Sequence, residues 1–456
     1  MLIRTDTIAA LATPEGEGGI AIVRVSGAQA ADVAARVFRA ACGRPPQAWS
    51  HARLYYGHVM DGDERVDEGM AVLMRAPHSY TREDVCEIQF HGGRMQVRRV
   101  LSLLLRAGAR AAEPGEFTRR AFLNGRIDLS QAEAVMRLIA SSSERGSREA
   151  MRQLEGGVSH FVARARAEIV SLLAGVSAAV DFPDEVDEDE AAGDLRARAL
   201  SLCELLRRAC DERSGRIAQE GLNVVIAGRP NVGKSSLLNA LLREERAIVT
   251  DLPGTTRDVL TESILLRGLR VNLSDTAGLR ETQDVVEAIG VSRARTAMER
   301  ADVLLVVLDG SQPLSGEDEA LLRAPSAARK LVVLNKSDLK QAVDEARVRA
   351  LCPGAQVLTL CAQRGEGVDA LCERLLSFAP EDGAQTATLT QARHVQAARG
   401  ACQALEDAVA AIDAGLPLDV TAVDLTRAMH ILGEITGETL DEDVIDRVFA
   451  TFCVGK

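Results

Sequence analysis

"LNVVIAGRPNVGKSSLLNALL", residues 222–242, decides the fold of the central third of this 456-residue chain. Its first six residues, rich in Val and Ile, read as a short buried strand. Gly228-x-x-x-x-Gly233-Lys234-Ser235 follows as a phosphate loop, and the apolar spacing beyond it predicts a helix. "DVLLVVLDG" (302–310) and "KLVVLNKSD" (330–338) are further buried-strand runs, separated from the first by helical stretches. That alternation is the mark of a parallel sheet covered on both faces.

The loop composition has a chemical reading. Glycines let successive N–H groups close around phosphates, and the helix N-terminus adds positive potential. Lys234 is placed for the β- and γ-phosphates and Ser235 for Mg2+, with Asn231, Val232, Gly233 and Ser236 completing the cradle. In "DTAG" (275–278), Asp275 suits the metal's second shell and the Gly278 N–H the γ-phosphate, with Thr276 and Ala277 between them. "NKSD" (335–338) selects the base, because the Asp338 carboxylate can accept from both N1–H and N2–H2 of guanine. Asn335 and Lys336 would brace the loop and ring. Cys361-Ala362 stands where small GTPases usually show Ser-Ala, and the Ala362 N–H can still serve the guanine oxygen. These motifs predict a GTPase. One position departs from many such enzymes: Leu279, not glutamine, follows Gly278, so another group must orient the attacking water and offset the developing charge.

Outward from this centre the chain changes character. Residues 1–120 mix predicted strands (18–27, 69–77) and helices (28–41, 93–109). A helical pattern then runs to about residue 215, with Asp128 or Ser130 as its N-cap and a break at the acidic "DFPDEVDEDEAAGD" (181–194). After "APEDGAQTATLT" (379–390) the helical pattern resumes. The expected organisation is therefore multidomain: an N-terminal α+β domain (1–120), a helical domain in two parts (121–217 and 381–456), and an inserted α/β phosphate-loop GTPase domain (218–380). Net charge is −12, which speaks against a generic nucleic-acid binder, although residues 1–150 are near balance with 20 Arg against 18 acids. Aromatics are 3%, too few for base-stacking platforms. Nine dispersed cysteines without a C-x-x-C pair suggest reduced thiols, and no apolar run has membrane length, so a cytoplasmic location is expected. "GEGGIA" (16–21) mimics a dinucleotide fingerprint but opens a strand instead of closing one, and is rejected as such.

"GRPNVGKSSLLNAL", "DLPGTTRDV", "DTAGLR" and "NKSD", with "ATPEGEGGIAIVRVSG", "PGEFTRRAFLNGRIDLSQAEA", "DFPDE" and the ending "FCVGK", together resemble the MnmE (TrmE) family of tRNA modification GTPases over essentially the whole chain. The resemblance implies a K+ ion beside the β/γ-phosphates in place of an arginine finger. Asn231, Thr250, Leu252 and Thr255 would supply its oxygens, within a loop that also holds Asp251, Pro253 and Gly254. Thr256 would join Ser235 on Mg2+, and Glu287 would orient the water. Such loops order when two GTPase domains pair. The N-terminal domain would bind a formyl- or methylene-tetrahydrofolate through Arg24, Glu87, Arg126 (more often Lys in the family) and Lys456. Phe452 and Val454 would anchor the tail near that pocket, presenting Cys453 as a candidate nucleophile. The implied enzyme is a homodimer that works with a flavin-dependent partner, holding FAD and NADH, in a heterotetramer or larger, on carbon 5 of the wobble uridine of tRNA.

Two other readings explain the GTPase motifs. A ribosome-assembly GTPase switch would leave residues 1–130 and the tail without a purpose, and no KH-like or strongly basic module is present in the sequence. A membrane-remodelling GTPase would need a lipid-binding segment, for which the sequence shows no candidate.

Overall fold

The computed structural model describes residues 6–141, 143–185, 187–244, 261–275, 301–324, 328–379 and 389–455. The chain forms two compact units. One comprises Met1–Met136, Arg152–Arg207 and Gln396–Lys456, and the other Arg137–Met151 and Arg208–Val395.

The first unit opens with β1 (Ile8–Leu11), β2 (Gly18–Ser26), β3 (Phe38–Ala40), β4 (Leu54–Asp61), β5 (Glu64–Met74), β6 (Val85–Gly92) and β7 (Arg110–Ala111), in the order β3-β4-β5-β6-β2-β1-β7. Neighbours are antiparallel except β1 and β7. Period-two alternation in β2 sends Val23 and Val25 to one face and Arg24 to the other. Val23 and Val25 pack with Leu73, Cys86 and Ile88 beneath α1 (Ala30–Val37) and α2 (Arg94–Arg106). Burial of each such side chain contributes about 1.5–3 kcal/mol relative to exposure. The opposite face keeps Leu54, Tyr56 and Met70 exposed, and on it Arg24 and Glu87 are direct cross-strand partners. The glycines of "GEGGIA" lead into β2, and among the described residues no helix starts before α1, which removes the geometry a dinucleotide site needs.

Helices α3 (Glu116–Leu123), α4 (Leu129–Ala140), α5 (Glu144–Leu154), α6 (Gly157–Asp181) and α7 (Glu188–Ala209) follow. Asp128 caps α4: its Oδ1 accepts the Gln131 N–H at 2.9 Å, and Gln131 Oε1 accepts the Asp128 N–H at 3.0 Å. Of the two expected caps, Ser130 lies inside the helix and donates its hydroxyl to Asp128. Pro183 falls between α6 and α7, where it has no helical N–H to supply.

The second unit contains α8 (Glu212–Glu220), β8 (Leu222–Ala227), α9 (Lys234–Glu244), β9 (Thr261–Leu266), β10 (Leu269–Asp275), β11 (Val303–Asp309), α10 (Gly316–Arg323), β12 (Arg329–Asn335), α11 (Glu345–Leu351), β13 (Gln356–Thr359) and α12 (Val368–Leu376). Its six-stranded sheet runs β13-β12-β11-β8-β10-β9 and is parallel except for β9, which returns antiparallel to β10. Both faces of the central strands are buried, which is why their sequences read as unbroken apolar runs. Val224, Ile226, Leu305, Val307, Leu331 and Val333 meet α9 and α12. Val225, Ala227, Leu304, Val306, Val332 and Leu334 meet α10 and α11. All the parallel strands therefore end at one edge of the sheet, where their loops collect.

The chain returns to the first unit through α13 (Ala392–Asp413), α14 (Leu418–Thr436) and α15 (Glu442–Ala450). Helix α14 lies along α6. Leu129 of α4 packs with Ile445, Phe449 and Phe452 around α15, which carries the C-terminal segment back toward α3. No described helix is long and apolar enough to cross a membrane.

Candidate functional site

Strand β8 delivers the phosphate loop, and the loop closes because two residues adopt left-handed backbone, Asn231 at φ 63° and Gly233 at φ 97°. At Gly233 the requirement for glycine is double. A Cβ there would meet Asn335 Nδ2 at 2.2 Å, so the loop backbone and the Asn335 side chain share the space a methyl would take. Asn335, at the end of β12, is 3% exposed and is used at both ends of its amide. Its Nδ2 donates to the Val232 carbonyl at 2.8 Å, and its Oδ1 accepts the Ala362 N–H at 3.0 Å. One side chain thus joins the phosphate loop, the NKSD loop and the loop after β13.

Lys234 begins α9, is buried, and donates to the Gly228 and Arg229 carbonyls, both at 2.8 Å, spanning the mouth of the loop. Ser235 and Ser236 are exposed in the first turn of α9, and Asn231 is exposed beside them, whereas Val232 is buried. Lys336, also left-handed at φ 66°, donates to the Asn231 carbonyl at 3.0 Å and pairs with Asp309 at 2.6 Å. Asp309 was not among the expected site residues. It ends β11 directly beside Asn335 of β12 and also accepts from the Ser311 N–H and hydroxyl. Burial would raise its pKa, but the Lys336 ammonium and the Ser311 donors outweigh that and hold the carboxyl below its ordinary value. The signal for it was the Asp at the end of an apolar strand adjacent to the one carrying NKSD. Arg229 is similarly fixed, donating to the buried Asp318 at 3.0 Å.

Asp338, the expected reader of guanine, sits where Oδ1 accepts the Cys361 thiol at 3.1 Å and Oδ2 lies 3.8 Å from Arg364. Cys361 and Ala362 are both buried. The structure therefore brings together Asn231, Val232, Gly233, Lys234, Ser235, Ser236, Asn335, Lys336, Asp338, Cys361 and Ala362, on loops at the carboxyl ends of β8, β12 and β13. Asp275 ends β10 at the same edge. Thr250, Asp251, Leu252, Pro253, Gly254, Thr255, Thr256, Thr276, Ala277, Gly278, Glu287 and Lys456 lie outside the described residues.

A second constellation lies on the first unit. Arg24 donates through Nε to Glu87 Oε1 at 2.8 Å, and its Nη2 reaches the same oxygen at 2.8 Å. Its guanidinium carbon is 5.3 Å from the Tyr80 ring centre and 5.6 Å from that of Phe117. Arg126 lies over the same tyrosine at 4.6 Å and donates to the Tyr80 carbonyl at 3.0 Å. Tyr80 was missed in the sequence, where one tyrosine in a loop carries no spacing signal. Arg24 Nη1 is buried and has no hydrogen-bond partner among the described residues. A buried orphan donor next to a carboxylate fits a ligand that presents both an acceptor and donors, as a pterin does.

The tail reaches this region. The Gly115 N–H donates to the Cys453 carbonyl at 3.3 Å, two residues before Phe117, and Phe452 is buried at 6% exposure. The anchoring role expected of Val454 is not its own: it is 57% exposed. Gly455 holds the end instead, because it is buried so close that a Cβ would lie 2.0 Å from the Leu11 carbonyl oxygen. Cys453 itself is exposed.

Comparison with known proteins bears on the family of the chain. A family model described as the MnmE helical domain matches residues 129–453, and one described as the GTP-binding protein TrmE N-terminus matches residues 7–126. The chain is 46% identical to the tRNA modification GTPase MnmE of Bacillus subtilis, over 99% of this chain and 100% of that protein. It is 48% identical to the same-named protein of Symbiobacterium thermophilum, over 99% of both. Among solved structures it is similar to an Aquifex aeolicus Era variant bound to GDP.AlF4-, at 27% identity over 40% of this chain and 65% of that one, with a TM-score of 0.29.

Gly233→Ala should lower GTP affinity by at least about tenfold, since both the backbone angle and the Asn335 contact oppose a methyl group. Titration with a fluorescent guanine nucleotide reads the loss directly, and native affinity in the variant would contradict the close approach described.

Proposed function

The chain belongs to the MnmE family of tRNA modification GTPases, and from that premise we propose a potassium-activated GTPase that acts on carbon 5 of the wobble uridine of tRNA. The observation that carries the nucleotide half is the Asn335 amide, which clasps the phosphate loop to the loop bearing Ala362 beside the guanine-reading Asp338. Lys234 would bind the β- and γ-phosphates, and Ser235 would hold Mg2+ with Thr256. Asn231 is exposed at the loop's left-handed turn, which suits it to offer its side-chain oxygen to K+ together with Thr250, Leu252 and Thr255. A cation there supplies the positive charge that an arginine finger gives elsewhere. Leu279 cannot hold a water, so Glu287 is assigned the task of orienting it.

The modification half rests on the first unit. Arg24, Glu87, Arg126 and Lys456 would bind a tetrahydrofolate carrying a one-carbon unit, and the orphan Arg24 Nη1 supports an acceptor on that ligand. The same sheet face exposes Leu54, Tyr56 and Met70, which supports pairing of two copies across it. Cys453 is exposed and so is available as a nucleophile toward the base or the one-carbon unit. A separate flavin-dependent protein, with FAD and NADH, would supply the redox chemistry. GTP hydrolysis would drive a conformational cycle and would not act on the base.

Two measurements test this reading. Initial rates of GTP hydrolysis should rise when sodium is replaced by potassium at constant ionic strength, and equal rates would remove the ion from the mechanism. Nucleoside analysis of tRNA from cells lacking the chain should show the C5-modified wobble uridine replaced by its unmodified form; a normal nucleoside profile would refute the assigned substrate.

A further inference from the structure

We propose that Cys203 and Cys402 form a redox-modification site, a thiol pair poised to close a reversible disulfide between α7 and α13 when the chain meets a hydroperoxide. The pair lies within the first unit, 199 residues apart in sequence. The Cys203 thiol donates to the Cys402 carbonyl and the Cys402 thiol to the Cys203 carbonyl, both at 3.6 Å. Reciprocal reach lays the two Cβ–Sγ arms alongside each other, the approach a disulfide needs. Both residues sit in the buried stripe of their helices, at 1% and 6% exposure, each one turn after a fully buried alanine, Ala199 or Ala398. Those small side chains let the two backbones approach closely. Two ion pairs, Arg196 with Asp413 and Arg207 with Glu406, join the same helices, and the reversed order of their partners sets the helices antiparallel.

Burial alone makes a thiol inert, as at Cys86, where desolvation pushes the thiol up to about 12. At Cys203 the outcome is reversed. The hydrogen bond from Cys402 holds its thiol below the ordinary value against burial, while Cys402, left as the donor, is raised. The single Cys402 proton can turn from the Cys203 carbonyl to the Cys203 sulfur when that sulfur carries charge. Charge therefore falls on one sulfur, and the roles follow. The Cys203 thiolate attacks a peroxide oxygen, the O–O bond breaks, and the leaving hydroxide takes the proton that Cys203 gave up. Cys402 then attacks the Cys203 sulfenic acid, an S–S bond forms, and water leaves with the hydroxyl and the Cys402 proton. Two thiols lose two electrons, and one hydrogen peroxide is reduced to two waters. The link would tie the first unit together four residues before the chain leaves it at Arg207 and six after it returns at Gln396.

The test uses the full reduced chain and hydrogen peroxide added in equimolar steps. After alkylation in denaturant and proteolysis, mass spectrometry should recover a peptide joining Cys203 to Cys402, lost again on treatment with dithiothreitol. Oxidation should raise the melting temperature by about 3–6 °C, because the link constrains a long loop of the unfolded chain. Cys203→Ser should show neither change. Cys402→Ser removes the second thiol, so Cys203 should persist as a sulfenic acid and take up dimedone. Recovery of Cys203 and Cys402 as two alkylated thiols, at peroxide levels that oxidise the exposed Cys42 and Cys453, would overturn the proposal. Disulfides that join either cysteine to another partner would overturn it as well. Dimedone on Cys402 of the Cys203→Ser chain, with none on Cys203 of the Cys402→Ser chain, would refute the assigned order of attack. The mapping is done on the native chain, so it decides the matter even if a serine variant does not fold.

Discussion

The amide of Asn335 is the constraint on which the nucleotide site depends. Three loops arrive at one edge of the parallel sheet from β8, β12 and β13, and strand pairing sets where the strands end but not how the loops beyond them meet. Asn335 does so by bonding Val232 on one side and Ala362 on the other, from a position that excludes water. In such a position an unmade bond costs the full desolvation of the orphaned group, so the arrangement is close to all-or-none. Gly233 is glycine both for its left-handed backbone and because Asn335 fills the space a methyl would take. Lys336 then ties the Asn231 carbonyl to Asp309, adding a charged brace next to the neutral one.

A comparable economy governs the first unit. Alternation along β2 and β6 sends valines and isoleucine under α1 and α2, and the same alternation leaves Arg24 and Glu87 on the other face. That face meets Tyr80, whose ring lies within reach of both the Arg24 and Arg126 guanidinium groups. The C-terminal residues come back to this region because Phe452 joins the cluster of Leu129, Ile445 and Phe449. Burial of Phe452 and the close approach of Gly455 to Leu11 position Cys453 without burying it.

Much of this was legible in the sequence because it is local. A strand, a glycine-bearing loop and a helix in succession define the phosphate site without any tertiary information, and the three apolar runs became β8, β11 and β12. Asp128 was one of the two caps expected at the start of the helical run, and its exchange of hydrogen bonds with Gln131 singles it out. What escaped depends on residues far apart in the chain. Asp309 matters only because β11 and β12 are neighbours in register, and Tyr80 only because β2 and the segment after α3 converge on it. The family resemblance implied an anchoring role for Val454, but that side chain is exposed, and the glycine beside it makes the close contact with Leu11. Residues 137–151, helical in pattern like their neighbours, belong to the second unit, which no local periodicity could reveal.

The most direct test is calorimetric titration of the full-length Asn335→Ala chain with GTP in the presence of Mg2+. Two buried partners, the Val232 carbonyl and the Ala362 N–H, would lose their bonds, so affinity should fall by at least about thirtyfold while circular dichroism keeps its native form. Near-native affinity in that variant would contradict the claim that this one amide assembles the site.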